Sequence, residues 1–169
     1  PKRQVPSLIK LDVLESALIE LNLGNYKKAL VLFDQELSAN PDNVTALIKK
    51  GNILGKFARY VEAISCYDSA LSIEPQNLLA LINKGLALHY LQKYDLAIEC
   101  YDLVLHLKPN NSLTIYNKAS SMIRANKIPQ GLELLSKSIE LDFSFKYKAR
   151  TDADFETIRK TSEFKKLVL

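Results

Sequence analysis

Along this chain apolar residues recur at three- and four-residue steps, the spacing of amphipathic helices and not the alternation of strands. The pattern is clearest in the middle. Leu81, Ile82, Gly85, Leu88 and Leu91 mark one helical face. Gln92-Lys93 makes a short polar turn, and Tyr94, Ala97, Ile98, Tyr101, Val104, Leu105 and Leu107 mark a second face. Pro109 stops that second helix, because proline lacks an N–H and disfavours helix in the residue before it.

The same unit recurs. Asn40-Pro41, Glu74-Pro75 and Lys108-Pro109 stand 34 residues apart. Tyr26, Tyr60 and Tyr94 keep that interval, as do Ala29, Ala63 and Ala97, and the pairs Gly51/Gly85 and Cys66/Cys100. Phe33, Tyr67 and Tyr101 place an aromatic ring at one site of three successive units. A frame starting at Lys10 gives four units, 10–43, 44–77, 78–111 and 112–145, each reading as two helices. Residues 1–9 precede the array, with Ser7 a candidate first cap, and 146–169 follow it. Gly51 or Gly85 opposite Ala63 or Ala97 predicts a close crossing of the two helices, where bulk costs about 1–3 kcal/mol. The ring fills the wedge beside it.

As a set, these columns resemble the tetratricopeptide repeat family. A Gly or Ala stands at the eighth position (Ala17, Gly51, Gly85, Ala119) and a small residue at the twentieth (Ala29, Ala63, Ala97, Gly131). An aromatic at the twenty-fourth and a Pro at the thirty-second hold in three of the four units. The resemblance covers 136 of 169 residues. It implies an all-α, right-handed superhelix of four helix pairs. Some columns depart. Glu36 replaces the small residue found at Ala70, predicting loose packing or a neighbouring base. The fourth unit has Leu135 for the aromatic, Phe143 for the Pro, and Pro129 starting its second helix. Terminal units of a solenoid are commonly atypical, since one flank lacks a neighbour.

In the tail, Asp152 is read as the N-cap of a short helix carrying Phe155, Ile158 and Arg159. Thr161 or Ser162 then caps a last turn with Phe164, Leu167 and Val168. Similar short helical pairs close many such arrays, and this C-terminal cap is expected to cover the apolar flank of repeat four.

Composition narrows the functional classes. With 47% hydrophobic and 25% charged residues the chain is globular and not intrinsically disordered. No apolar run is long enough to span a bilayer, so no membrane partner is expected. Two cysteines give no disulfide framework, which suits the cytoplasm. The chain begins at Pro1 and not Met, reading as a trimmed start compatible with a removed signal. The net charge of +4 sits at the ends: residues 10–145 carry 14 basic against 15 acidic side chains. A nucleic-acid partner is therefore not expected.

Catalytic chemistry finds no purchase. His89 and His106 stand apart, and neither Cys-x-x-Cys nor His-x-x-x-His occurs. His106 is expected to be solvated, and His89 to face a partner. Cys66 and Cys100, on helices about 8–10 Å apart, lie beyond disulfide reach and read as small packing groups. There is no nucleophile elbow, P-loop or dinucleotide fingerprint. No enzyme activity, metal or cofactor is expected.

What remains is a surface. The family resemblance implies a concave wall that binds peptides through positions 2, 5, 6, 9, 12 and 13 of each unit. In repeat two this selects Ile48 and Asn52, with Thr45, Lys49, Gly55 and Lys56. In repeat three it selects Leu79, Ile82, Asn83, Leu86, His89 and Tyr90. In repeat four it selects Leu113, Tyr116, Asn117 and Arg124, with Ser120 and Ile123. Asn83 and Asn117 share a column beside Asn52 and resemble the asparagine ladder of some members; the other reading bonds them to a neighbouring helix. The two-carboxylate clamp of the chaperone-binding branch is disfavoured. Its cation positions hold Ile48, Leu113 and Asn117, beside Asn52 and Asn83. On repeat one, Leu11, Leu14, Leu18 and Leu21 form an apolar stripe. Such a stripe predicts a cover: an amphipathic helix of a partner, a second copy, or the chain's own N-terminal segment around Val5. The expected function is a non-catalytic protein-interaction module holding a peptide or helix. Its alternative is a homodimer whose groove is filled by its own chain or another copy.

Overall fold

A computed structural model describes residues 12–169; Val5, Ser7, Leu11 and the whole 1–9 segment lie outside the described residues. Four helix pairs follow one another: α1 (Val13–Asn22) with α2 (Tyr26–Ala39), and α3 (Val44–Lys56) with α4 (Tyr60–Ile73). Then come α5 (Leu78–Tyr90) with α6 (Tyr94–Leu107), and α7 (Ser112–Arg124) with α8 (Ile128–Leu141). Each second helix also packs on the first helix of the next pair, giving an all-α solenoid. The first helices α3, α5 and α7 touch one another and form its inner wall.

Local chemistry repeats with the fold. Asn43, Asn77 and Asn111 cap α3, α5 and α7, each accepting from the N–H three residues on at 2.9–3.0 Å. Asp12 caps α1 in the same way. The turn inside each pair needs one left-handed residue: Gly24, Ala58, Gln92 and Asn126, with φ from 57° to 78°. Only the first is glycine, the residue that adopts this conformation without a Cβ clash.

Between pairs a second periodic device appears. Lys50, Lys84 and Lys118 each reach the carboxylate of Asp34, Asp68 and Asp102 on the preceding second helix, at 2.5–2.6 Å. The equivalent positions at the array's ends are Ser16 and Ser136, so the ladder runs only through the internal junctions.

The small columns act as expected in position but through a different neighbour. A Cβ on Gly51 would lie 2.6 Å from Cε1 of Tyr67, and one on Gly85 2.5 Å from Cε1 of Tyr101. Glycine here makes room for the aromatic ring of its own repeat. Glu36 is also corrected. It is buried, yet no base among the described residues pairs with it; the side-chain amides of Asn40 and Asn43 donate to its carboxylate at 3.0 and 2.8 Å.

The tail carries one more helix than the sequence suggested. α9 (Ser144–Thr151) precedes a 3-10 helix (Ala153–Ile158), and α10 (Ser162–Val168) closes the chain. Asp152 and Thr161 are the caps. Phe145, Phe155, Ile158, Phe164 and Val168 join Tyr116, Ala119, Ile123 and Leu135 in one buried cluster, sealing repeat four.

Candidate functional site

The inner wall divides into an open half and a closed half. In the open half, Asn52 and Gly55 of α3, Asn83 and Leu86 of α5, and Tyr60 and Tyr90 bound a groove of about 260 Å³. Leu79, Leu86 and Tyr90 are exposed along α5, while Ile82 and Asn83 are half-buried. Tyr60 and Tyr90 stack with ring centroids 5.1 Å apart, fixing one wall of the groove. The equivalent contact is a cation over a ring in the flanking junctions, Lys56 on Tyr26 and Arg124 on Tyr94.

The asparagines bond within the chain. Asn83 donates its amide to the Asn52 amide oxygen at 2.8 Å, and the Tyr67 hydroxyl donates to the same oxygen at 2.8 Å. The arrangement joins α3, α4 and α5, as the neighbouring-helix reading expects. The Asn52 amide nitrogen and the Asn83 amide oxygen take no part in these bonds. Asn117 is half-buried farther along the wall.

The closed half is made by the tail. Tyr116, expected to face a ligand, is 1% exposed: Phe145 stacks on it at 4.6 Å, Phe155 meets it edge-on, and its hydroxyl donates to Asp152 at 2.7 Å. His89 is likewise taken up. It is buried, with Nδ1 2.8 Å from the Ser121 hydroxyl and Nε2 3.1 Å from the Asp154 carboxylate. Ile48 is buried in the core of repeat two. Leu113 and Arg124 remain exposed at the margins, and His106 is exposed on α6. The stripe on repeat one is not bare. Leu14, Leu18 and Leu21 are half-buried against Ala17, Phe33 and Ile53, because α2 and α3 close over that side of α1. Leu11 lies outside the described residues.

Three groups at the groove's closed end were not found by sequence reasoning: Lys148, Asp152 as a wall residue, and Asp154. They come from a segment that occurs once, so no periodic column announces them. The aromatic column did carry an unread signal. Tyr67 meets Asn52, fifteen residues before it, whereas the position one full period after Asn52, and fifteen before Tyr101, is Leu86.

Burial pushes the thiols of Cys66 and Cys100 above the usual range, and both are free and buried. Among the described residues no three His, Cys, Asp or Glu side chains converge as a metal site, and no helix is long and apolar enough to cross a membrane.

A repeating array of helix pairs whose first helices line an open groove defines the class: a helical-repeat interaction scaffold. The chain belongs to the tetratricopeptide repeat family, whose signature matches residues 14–77 and again 79–111. Among solved structures, MamA (41-end) from Desulfovibrio magneticus RS-1 superposes with a TM-score of 0.75 at 20% identity, over 80% of this chain and 76% of that one. A crystal structure of MamA gives 0.78 at 17% identity, over 95% and 92%. YrrB, a TPR protein with an unusual peptide-binding site, gives 0.73 at 16% identity, over 92% and 80%. At these identities the likeness establishes the fold. No curated protein matches the sequence significantly.

Proposed function

We propose that this chain is a non-catalytic module that binds an extended, mainly apolar segment of a partner protein in the open half of its inner wall. The observation carrying this reading is the groove of about 260 Å³ between α3 and α5. Exposed Leu86 and Tyr90 line it, Leu79 is exposed farther along α5, and Asn52 and Asn83 provide amide groups at its floor. Apolar side chains there bury surface that is otherwise wet, and an amide both donates to and accepts from a peptide backbone. The segment ends or turns near His89, where the tail fills the wall.

Panning a displayed random-peptide library against the chain tests this. Selected peptides are expected to be rich in apolar residues and to lose about tenfold in affinity against L86D or Y90A, both exposed sites, with helicity unchanged by circular dichroism. No enrichment, or unchanged affinity for both variants, overturns the reading.

One observation favours homodimerisation as a second reading. Ile19 is 42% exposed, whereas its counterparts Ile53, Ala87 and Ser121 are buried against a preceding repeat. A second copy meeting that flank of α1 would cover Ile19 together with Val13 and Leu23. Light scattering across a dilution series checks this, and a monomer at every concentration removes it.

A further inference from the structure

The polar chemistry of the aromatic column changes from repeat to repeat. Phe33 has no hydroxyl and faces Leu18; the Tyr67 hydroxyl is satisfied by Asn52. Tyr101 keeps the hydroxyl, but the residue one period after Asn52 is Leu86. The Tyr101 ring is fully buried, and its hydroxyl has no hydrogen-bond partner among the described residues. A buried polar group left unmade costs about 1–3 kcal/mol, so it calls for an explanation.

Tyr101 is one of the residues lining a small cavity of about 130 Å³ between α5, α7 and the tail. The cavity shares Leu86 and Tyr90 with the open groove and so continues it. Asn117, Ser120, His89, Lys148 and the carboxylates of Asp152 and Asp154 make up the rest of its polar lining. Both carboxylates are held by groups other than lysine or arginine. Asp152 accepts from the Tyr116 hydroxyl and the Asp154 N–H, and Asp154 faces His89. The nearby cations sit on rings instead: Lys148 lies 4.4 Å over Tyr116, and Arg124 lies over Tyr94. Two carboxylates thus share the cavity lining with one lysine, and Arg124 stands close enough to feel the Asp154 charge. Burial keeps the Tyr101 phenol protonated, beside the Ser121 hydroxyl that His89 already engages.

We infer that this cavity is a subsite for the basic side chain, lysine or arginine, of the peptide held in the adjoining groove. The inference rests on the peptide-binding reading above and adds to it the charge that the partner must carry. A guanidinium or ammonium group entering past Tyr90 donates to Asp154 and to the Tyr101 oxygen, and charge-assisted bonds of this kind are the stronger ones. The exposed Tyr90 face adds a cation–π contact. Because an extended chain advances about 3.3–3.6 Å per residue, the base falls within a few residues of the apolar side chain seated against Leu86.

The same random-peptide library decides the matter. Peptides selected on the natural chain are expected to carry Lys or Arg at a fixed spacing from an apolar residue. Replacing that base by norleucine in a fluorescein-labelled peptide should weaken binding about tenfold in anisotropy titrations. With D154N or Y101F, each checked for unaltered helicity, the natural and norleucine peptides should bind within about twofold of each other. Y101F guards against a fold defect in D154N, since it removes only the unpartnered hydroxyl. Selected peptides without a basic bias, or a preference that survives both substitutions, overturn this inference and leave the groove reading standing. Failure to select any peptide overturns the groove reading and this one with it.

Discussion

The Tyr67 hydroxyl donates to the Asn52 amide oxygen at 2.8 Å, whereas Tyr101, one repeat later, has Leu86 at the position of Asn52 and donates to nothing among the described residues. Two tyrosines in one column therefore contribute oppositely to stability. Tyr67→Phe should cost about 1 kcal/mol, the net worth of an intramolecular hydrogen bond. Tyr101→Phe should be neutral or stabilising in the unliganded chain, because it deletes a polar group that folding strips of water. Urea melts of the two variants check this, and a Y101F loss as large as that of Y67F would refute it.

The lysine–aspartate ladder is a second periodic relationship. Lys84 and Asp68 lie 2.6 Å apart with side chains 27% and 52% exposed, so water screens the pair. A double-mutant cycle with K84M and D68N should give a coupling of about 0.2–1 kcal/mol that shrinks in molar salt. A coupling well above that range would mean that the ladder, and not apolar burial, holds the repeats together.

Glycine has opposite value at two kinds of position. Gly85→Ala drives a methyl to within 2.5 Å of the Tyr101 ring, and about 1–3 kcal/mol of stability should be lost. Ala58 holds a left-handed backbone at φ 57°, so Ala58→Gly should gain about 0.5–1 kcal/mol. Thermal melts of both variants give the two signs. Equal effects would show that backbone conformation and ring contact are not what distinguishes these sites.

The thiols supply a test of packing. Burial raises the pKa of Cys66 and Cys100, so at pH 8 less thiolate exists than in a free cysteine, and reagent cannot reach it. Ellman's reagent at pH 8 should label neither residue in the folded chain and both in guanidinium chloride. Rapid labelling of the folded chain would place at least one of them at the surface.

Most of the fold was legible in the sequence because its information is repeated. A helix pair cannot bury its own face, so Gly51 and Gly85, Ala63 and Ala97, and the three X-Pro pairs recur wherever neighbouring pairs stack. The same periodicity held the asparagine caps and the Lys–Asp ladder, readable once the columns are laid side by side. Singular residues were less legible. Glu36 was recognised as a departure, but its amide partners follow from how the chain turns after α2.

The repeat and its helix pairs were already fixed by spacing along the chain, the 34-residue columns and the three- and four-residue apolar steps, and the family resemblance carried by those columns implied which helices line the inner wall. How much of that wall is available depends on contacts between distant parts of the chain. Residues 144–169 fold back so that Phe145 and Phe155 cover Tyr116, and Asp154 reaches His89 across 65 positions of sequence. The two carboxylates at the groove's end arrive by that route. No column predicts them, because the tail has no second copy against which to read it, and its docking is set by apolar burial on repeat four.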